Sequence, residues 1–124
     1  MAYEQALRAS DLAAQDFEGL GFPGVAMAVL HNGSGQSTGT LVVATRMEAG
    51  AEIPAHSHDS GNETVVVVAG DFIEEGQTYE KGSYLFAGAG VVHGPHRTAH
   101  GCMVITHFSG LEGELTFRTA DEDG

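Results

Sequence analysis

Two histidines one residue apart, a glutamate five positions later and a histidine thirty beyond that are the densest chemistry in the chain. His56 and His58 stand in Ala55-His-Ser-His58-Asp59. In a β-strand, side chains at i and i+2 share one face roughly 6.5–7 Å apart, so both imidazoles can aim at one point inside a barrel. Asp59-Ser60-Gly61-Asn62 is a turn by composition. It returns the chain so that Glu63, first residue of the next strand, faces the same interior. Two neutral imidazoles and a carboxylate on adjacent strands match the ligand set of non-haem iron sites. His93 follows a Gly-rich turn and a short apolar strand, Gly82 to Val92, and can close the set from across the barrel. An H-x-H alone also occurs as a pair of surface histidines on a strand. Glu63 and His93 at these spacings turn the reading towards a metal.

Other polar residues are candidates for work beside such a centre. Tyr79 and Tyr84 can donate or remove a proton, although tyrosine in strands is commonly packing. Arg46 is one of only five basic residues; it can anchor an anionic or carbonyl oxygen, or form an outward salt bridge. Alternation in Met103-Val-Ile-Thr-His107 puts His107 on one face with Met103 and Ile105. If that face is the barrel interior, His107 supports a ligand or touches substrate; otherwise it is a structural histidine. His96 and His100 read as solvated loop histidines, with a pocket-rim or acid–base role as the alternative. Cys102 reads as a small buried filler rather than a nucleophile.

The elements that must position these residues are short. Gly at 18 of 124 residues is about double the usual share of roughly 7%, which favours tight turns over long helices. Met1 to Phe17 holds the one plausible helix, with Leu7, Ala14 and Phe17 able to share a face; a loosely packed arm fits equally well. From Val25 onward the pattern is β-rich: Val25–Leu30, Thr40–Glu48, Glu63–Ala69 closed by Gly70, then shorter strands near Asp71–Ile73, Thr78–Tyr79 and Ser83–Ala87, and finally Cys102–Ser109 and Glu114–Thr119. Asn32-Gly33-Ser34-Gly35 reads as a turn. Strands at this spacing predict an all-β barrel or sandwich rather than a βαβ fold. The expected organisation is an N-terminal arm over 1–24, a barrel over 25–118 and an acidic tail over 119–124.

Composition narrows the function. At 124 residues the chain is one domain's worth, and its five Lys+Arg against seventeen Asp+Glu give a net charge of −12. That balance argues against nucleic-acid binding and against anionic lipid. No apolar run approaches the roughly 18–20 residues of a membrane span, and no signal-peptide pattern opens the chain. The single cysteine excludes an intrachain disulfide and fits a reducing compartment, so the expectation is a soluble, acidic, cytoplasmic domain. There is no G-x-G-x-x-G after a strand and no G-x4-G-K-[ST], so no nicotinamide, flavin or nucleotide site is expected.

The sequence resembles the cupin superfamily. The family's first motif, G-x5-H-x-H-x4-E-x6-G, is matched at Gly50, His56, His58, Glu63 and Gly70. The second, G-x5-P-x-G-x2-H-x3-N, is matched at Gly82, Gly90 and His93, with Gly88 where it has Pro and Arg97 where it has Asn. Both departures fall on turn and flanking positions rather than on ligands. The resemblance covers about residues 25–118 and implies a small jelly-roll β-barrel. It also implies one divalent metal held by His56, His58, Glu63 and His93, with Fe(II) favoured and Zn, Ni or Mn as alternatives. Val65-Val-Val-Val-Ala-Gly-Asp-Phe72, Tyr79–Tyr84, Val92-His-Gly-Pro-His96 and Gly101–Val104 are similar to one cupin group. It includes acetylacetone-cleaving and dihydroxyacetophenone dioxygenases and the cupin domain of zinc anti-sigma factors. What the resemblance implies first is a mononuclear non-haem Fe(II) dioxygenase cleaving a C–C bond of a small diketone or enolisable carbonyl compound. An oxygen-independent lyase, isomerase or cyclase on the same site and a non-catalytic metal- or ligand-binding cupin are the alternatives. A homodimer is expected, because the Glu63–Ala69 strand is apolar on both faces and cupins commonly pair through their sheets.

Overall fold

The computed structural model describes residues 3–33 and 38–120. The second half of the 32–35 turn and residues 121–124 of the acidic tail lie outside the described residues. In chain order the elements are α1 (Ala9–Ala13), β1 (Glu18–Gly19), β2 (Val25–Gly33), β3 (Thr40–Met47), β4 (Glu52–Ile53), β5 (His56–Ser57), β6 (Asn62–Glu74), β7 (Gln77–Glu80), β8 (Tyr84–Ala87), β9 (His96–Arg97), β10 (Cys102–Ser109) and β11 (Arg118–Thr119). The main sheet runs β1-β2-β3-β10-β6-β9-β4, with β7 and β8 also on β6, and every pairing in it is antiparallel. A two-stranded sheet, β5 with β11, closes the far side. This is the curled sheet of a small all-β barrel, as the strand spacing predicts.

Strand β6 organises the molecule. Its first half pairs β10 and β8, and its second half, Asp71–Glu74, pairs β7 and touches β9. Alternation turns Glu63, Val65 and Val67 inward, where Val67 joins Val25, Met47, Ile53, Phe72 and Val104 in the core. Gly70 does not end the strand, contrary to the sequence expectation. It sits at φ +75° opposite Cys102, and a Cβ there would lie 1.9 Å from the Gly101 carbonyl oxygen. Only glycine lets the two backbones approach this closely and bend β6 from one face of the barrel to the other.

Three further readings gain detail from the structure. The N-terminal helix spans five residues, none of them buried, because its thin apolar stripe gives tertiary packing little to stabilise. The stretch read as an arm contributes β1, which adds to the edge of β2. Of the Glu114–Thr119 run, only Arg118 and Thr119 pair as strand.

Candidate metal centre

The barrel wall brings the two motif segments into register through backbone hydrogen bonds. His56 and His93 exchange N–H···O bonds of 2.9 Å in both directions, and the Gly90 N–H donates to the His58 carbonyl at 2.9 Å. His56, His58 and Glu63 are buried, and the His93 side chain is 14% exposed. Their rings cluster: His56 lies 4.4 Å from His93 and 5.0 Å from His58 between centroids, and His58 lies 5.3 Å from His93.

Each imidazole is oriented by a backbone carbonyl. Nδ1 of His56 pairs with Pro54 O at 2.7 Å, that of His58 with Thr116 O at 2.5 Å and that of His93 with Val91 O at 3.0 Å. A carbonyl only accepts, so Nδ1 carries the proton in all three, and Nε2 of each neutral ring is left with its lone pair for a cation. Phe117 stacks on His56 at 4.2 Å and 23°, and Phe108 meets His58 edge-on at 5.2 Å. The carbonyl of Thr116 and the ring of Phe117 are positioning groups that sequence reasoning missed. Their segment reads as strand, yet only Arg118 and Thr119 pair, and neither Thr nor Phe as a residue type marks a metal site.

Glu63 Oε2 lies 2.7 Å from His93 Nε2 and 3.5 Å from His58 Nε2. Glu63 Oε2 and His93 Nε2 are nevertheless buried without hydrogen-bond partners. Buried polar atoms are rarely left in that state, and a carboxylate oxygen this close to an imidazole nitrogen calls for a cation between them, a proton or a metal ion. Burial pushes the Glu63 carboxyl up, but His58 and His93 outweigh it and hold it well below the usual carboxylate range. Burial pushes the His93 imidazole down, and Glu63 outweighs that and raises it. Burial, helped by the neighbouring histidines and opposed by the Pro54 carbonyl, lowers His56 to about 4. The donors form two overlapping triads, His58–Glu63–His93 and His56–His93–His96, with the ligand atoms in each within 4.8 Å of one another. One carboxylate with several imidazoles fits a divalent transition metal.

Beside the cluster opens a cavity of about 400 Å³, walled by Glu63, His93 and His96 together with Val65, Tyr79 and Leu85. Of the four further candidates, only Tyr79 reaches it. His107 pairs with Val42 and Thr64 and is exposed on the outer face of the sheet, because even-numbered and odd-numbered residues of β10 face opposite ways. Arg46 is exposed on that same face, its guanidinium 4.3 Å over the Phe17 ring, where it tethers the N-terminal segment. Tyr84 pairs with Val66 and is 64% exposed outside the barrel. These three residues are therefore not brought to the centre. His96, read first as a solvated loop residue with a pocket-rim role as the alternative, is buried on the cavity wall, whereas the side chain of His100 is 88% exposed. Cys102 is buried, and burial raises its thiol to about 11, as suits a filler.

Among the described residues, no helix is long and apolar enough to cross a membrane. A family profile described as the ChrR cupin-like domain matches residues 5–112. No curated protein matches the chain. Among solved structures, an acetylacetone dioxygenase from Acinetobacter johnsonii superposes with a TM-score of 0.68 at 17% identity, over 99% of this chain and 90% of that one. The polyketide cyclase RemF from Streptomyces resistomycificus gives 0.71 at 14% identity, over 95% and 86%. The anti-sigma factor ChrR of Rhodobacter sphaeroides, solved with SigE, gives 0.64 at 24% identity, over 82% of this chain and 50% of that one. These likenesses are of fold.

Proposed function

The chain belongs to the ChrR cupin-like domain family, and on that premise we propose that it is a metal-dependent enzyme acting on a small enolisable carbonyl compound. The proposed reaction is cleavage of a C–C bond with dioxygen as the oxidant, and the proposed ion is Fe(II). The observation that carries the reading is the convergence of three carbonyl-oriented histidines on one buried, hydrogen-bond-starved carboxylate, with Glu63 and His93 on the wall of a 400 Å³ cavity. Bound there by His56, His58, Glu63 and His93, iron would supply a Lewis acid and an electron path to oxygen.

The chain's own residues do the rest. Val65, Phe72 and Leu85 offer the apolar wall against which a small carbon skeleton packs and from which water is excluded. The Tyr79 hydroxyl and the Gln77 amide are hydrogen-bonding groups for the substrate's oxygens. Among the described residues no Lys or Arg lines the cavity, and Glu74 and Glu75 do, which disfavours an anionic substrate.

The test is an oxygen electrode with iron-loaded, anaerobically purified protein and a panel of neutral 1,3-diketones. Oxygen uptake matched to substrate loss supports the reading. A second reading, a lyase, isomerase or cyclase that needs no oxygen, is favoured by Tyr79, a proton-transfer group on the cavity wall. Turnover of the same compounds under argon would select it. Binding without turnover in either atmosphere would leave a ligand-binding domain.

A further inference from the structure

His96 lies three residues beyond the last motif histidine, in β9. It is 7% exposed, and its backbone is held in β9 opposite Ile53 of β4. Its ring packs edge-on to His56 at 5.1 Å and 87°, lies 5.3 Å from His93, and rests against Phe72 at 5.1 Å. Nδ1 is paired with the Glu74 carboxylate, which is its one hydrogen bond among the described residues. A carboxylate that takes the Nδ1 proton fixes the tautomer, points the Nε2 lone pair away from itself and makes the ring a better donor. A ring nitrogen of His96 and one each of His56 and His93 lie within 4.8 Å of one another.

We propose that His96, oriented by Glu74, is a fifth protein donor of the metal centre. The inference rests on the metal reading above and extends it. Burying a histidine and a glutamate together is costly unless both are satisfied. The pair satisfies one ring nitrogen and leaves the other beside the rings of His56 and His93. A cation shared by these rings accounts for the arrangement. The consequence is chemical: four protein ligands leave two positions on a six-coordinate ion, whereas five leave one. A substrate would then bind through a single oxygen until His96 gives way. The wall of the cavity would thereby set how many substrate atoms reach the ion.

The experiment uses cobalt(II) and zinc(II) as probes of the full chain. Competitive chelator titration gives the affinity, and X-ray absorption of the zinc-loaded protein counts imidazoles. His96→Gln is expected to weaken binding by about ten-fold or more and to lower the imidazole count from four to three. Glu74→Gln, whose amide oxygen still accepts from Nδ1, is expected to keep the count and lower the affinity less, which holds even if His96→Gln folds poorly. Unchanged affinity and unchanged count in both variants would overturn the proposal and leave His96–Glu74 as a tie between β9 and β6. His58→Ala separates the two ideas. Loss of metal there, with wild-type behaviour of His96→Gln, sinks the fifth donor and spares the centre. Undiminished metal binding in His58→Ala sinks the centre itself.

Discussion

Glu63 Oε2 and His93 Nε2 stand 2.7 Å apart in the barrel wall, and neither atom completes a hydrogen bond. Without a metal, the pair is held by charge: Glu63 stays ionised and His93 retains a proton above its ordinary pH range. A metal takes the place of that proton. Loading should therefore release it, and affinity should fall as the pH drops through the raised His93 value. His56, at about 4, is already neutral across this window and adds no proton. The proton released on loading is therefore the one that His93 holds against Glu63. Calorimetric titration in buffers of differing ionisation heat measures it, and heats independent of buffer would refute the exchange.

Replacing Glu63 by Gln separates metal binding from folding. The variant removes the one anionic donor of the cluster, so affinity should drop by about ten-fold or more. Its amide N–H₂ can donate to the orphaned His93 Nε2, so the metal-free protein should melt no lower than wild type. Differential scanning calorimetry in chelator gives the second number. A lower Tm would mean that the Glu63 charge contributes more to the metal-free fold than the new hydrogen bond restores.

Gly70→Ala should cost stability without touching a ligand. An added Cβ meets the Gly101 carbonyl at 1.9 Å, and the backbone is at φ +75°. Both effects act together, so the loss should reach about 2–3 kcal/mol. Urea denaturation measures it; a loss under about 0.5 kcal/mol would show that β6 and β10 slide apart freely.

The histidine–glutamate pattern was legible because its physics is local. Spacing in β5 and one turn fix His56, His58 and Glu63 on converging strands. His93 was legible because glycines before it mark the turn that returns the chain. The fates of Arg46, Tyr84 and His107 were not, since they depend on which face of a sheet curls inward, and alternation gives two faces without saying which is which. His96 failed for the opposite reason. Its neighbours Pro95, Arg97 and Thr98 look like loop, and only the pairing of β9 with β4 and β6 buries it. Gly70 shows a third limit: a glycine that reads as a strand end bends a continuous strand where another backbone passes close.

Tyr84 and Val66 are cross-strand partners on the outer face, and Tyr84 at 64% and Phe86 at 59% are among its most exposed apolar side chains. An apolar outer sheet of this kind fits a second copy of the chain. We expect a dimer at about tens of micromolar by light scattering and a monomer for Tyr84→Asp, because an unpaired charge in the centre of such a face is costly. The variant should bind metal normally, since Tyr84 lies outside the barrel. Monomeric wild-type protein would remove the expectation.

Phe117 tests how far the C-terminal segment tunes the centre. Its ring lies flat on His56 at 4.2 Å and touches Phe22 at 5.7 Å, while 42% of the residue is exposed. The stack does not hold the barrel together, so Phe117→Ala should lower stability by only about 1 kcal/mol. It does hold the His56 ring in the plane that directs Nε2 at the cluster. Without it, the ring keeps one hydrogen bond, to the Pro54 carbonyl, and edge contacts with the neighbouring histidines, and is freer to rock about that axis. Metal affinity should fall by about ten-fold, as when a group that orients a ligand is lost. Phe117→Leu keeps apolar cover but loses the flat contact, so it should recover most of the stability and little of the affinity. Chelator competition and thermal melts on the three proteins decide it. If affinity follows stability in step across the series, the ring acts as cover for the barrel rather than as a guide for His56.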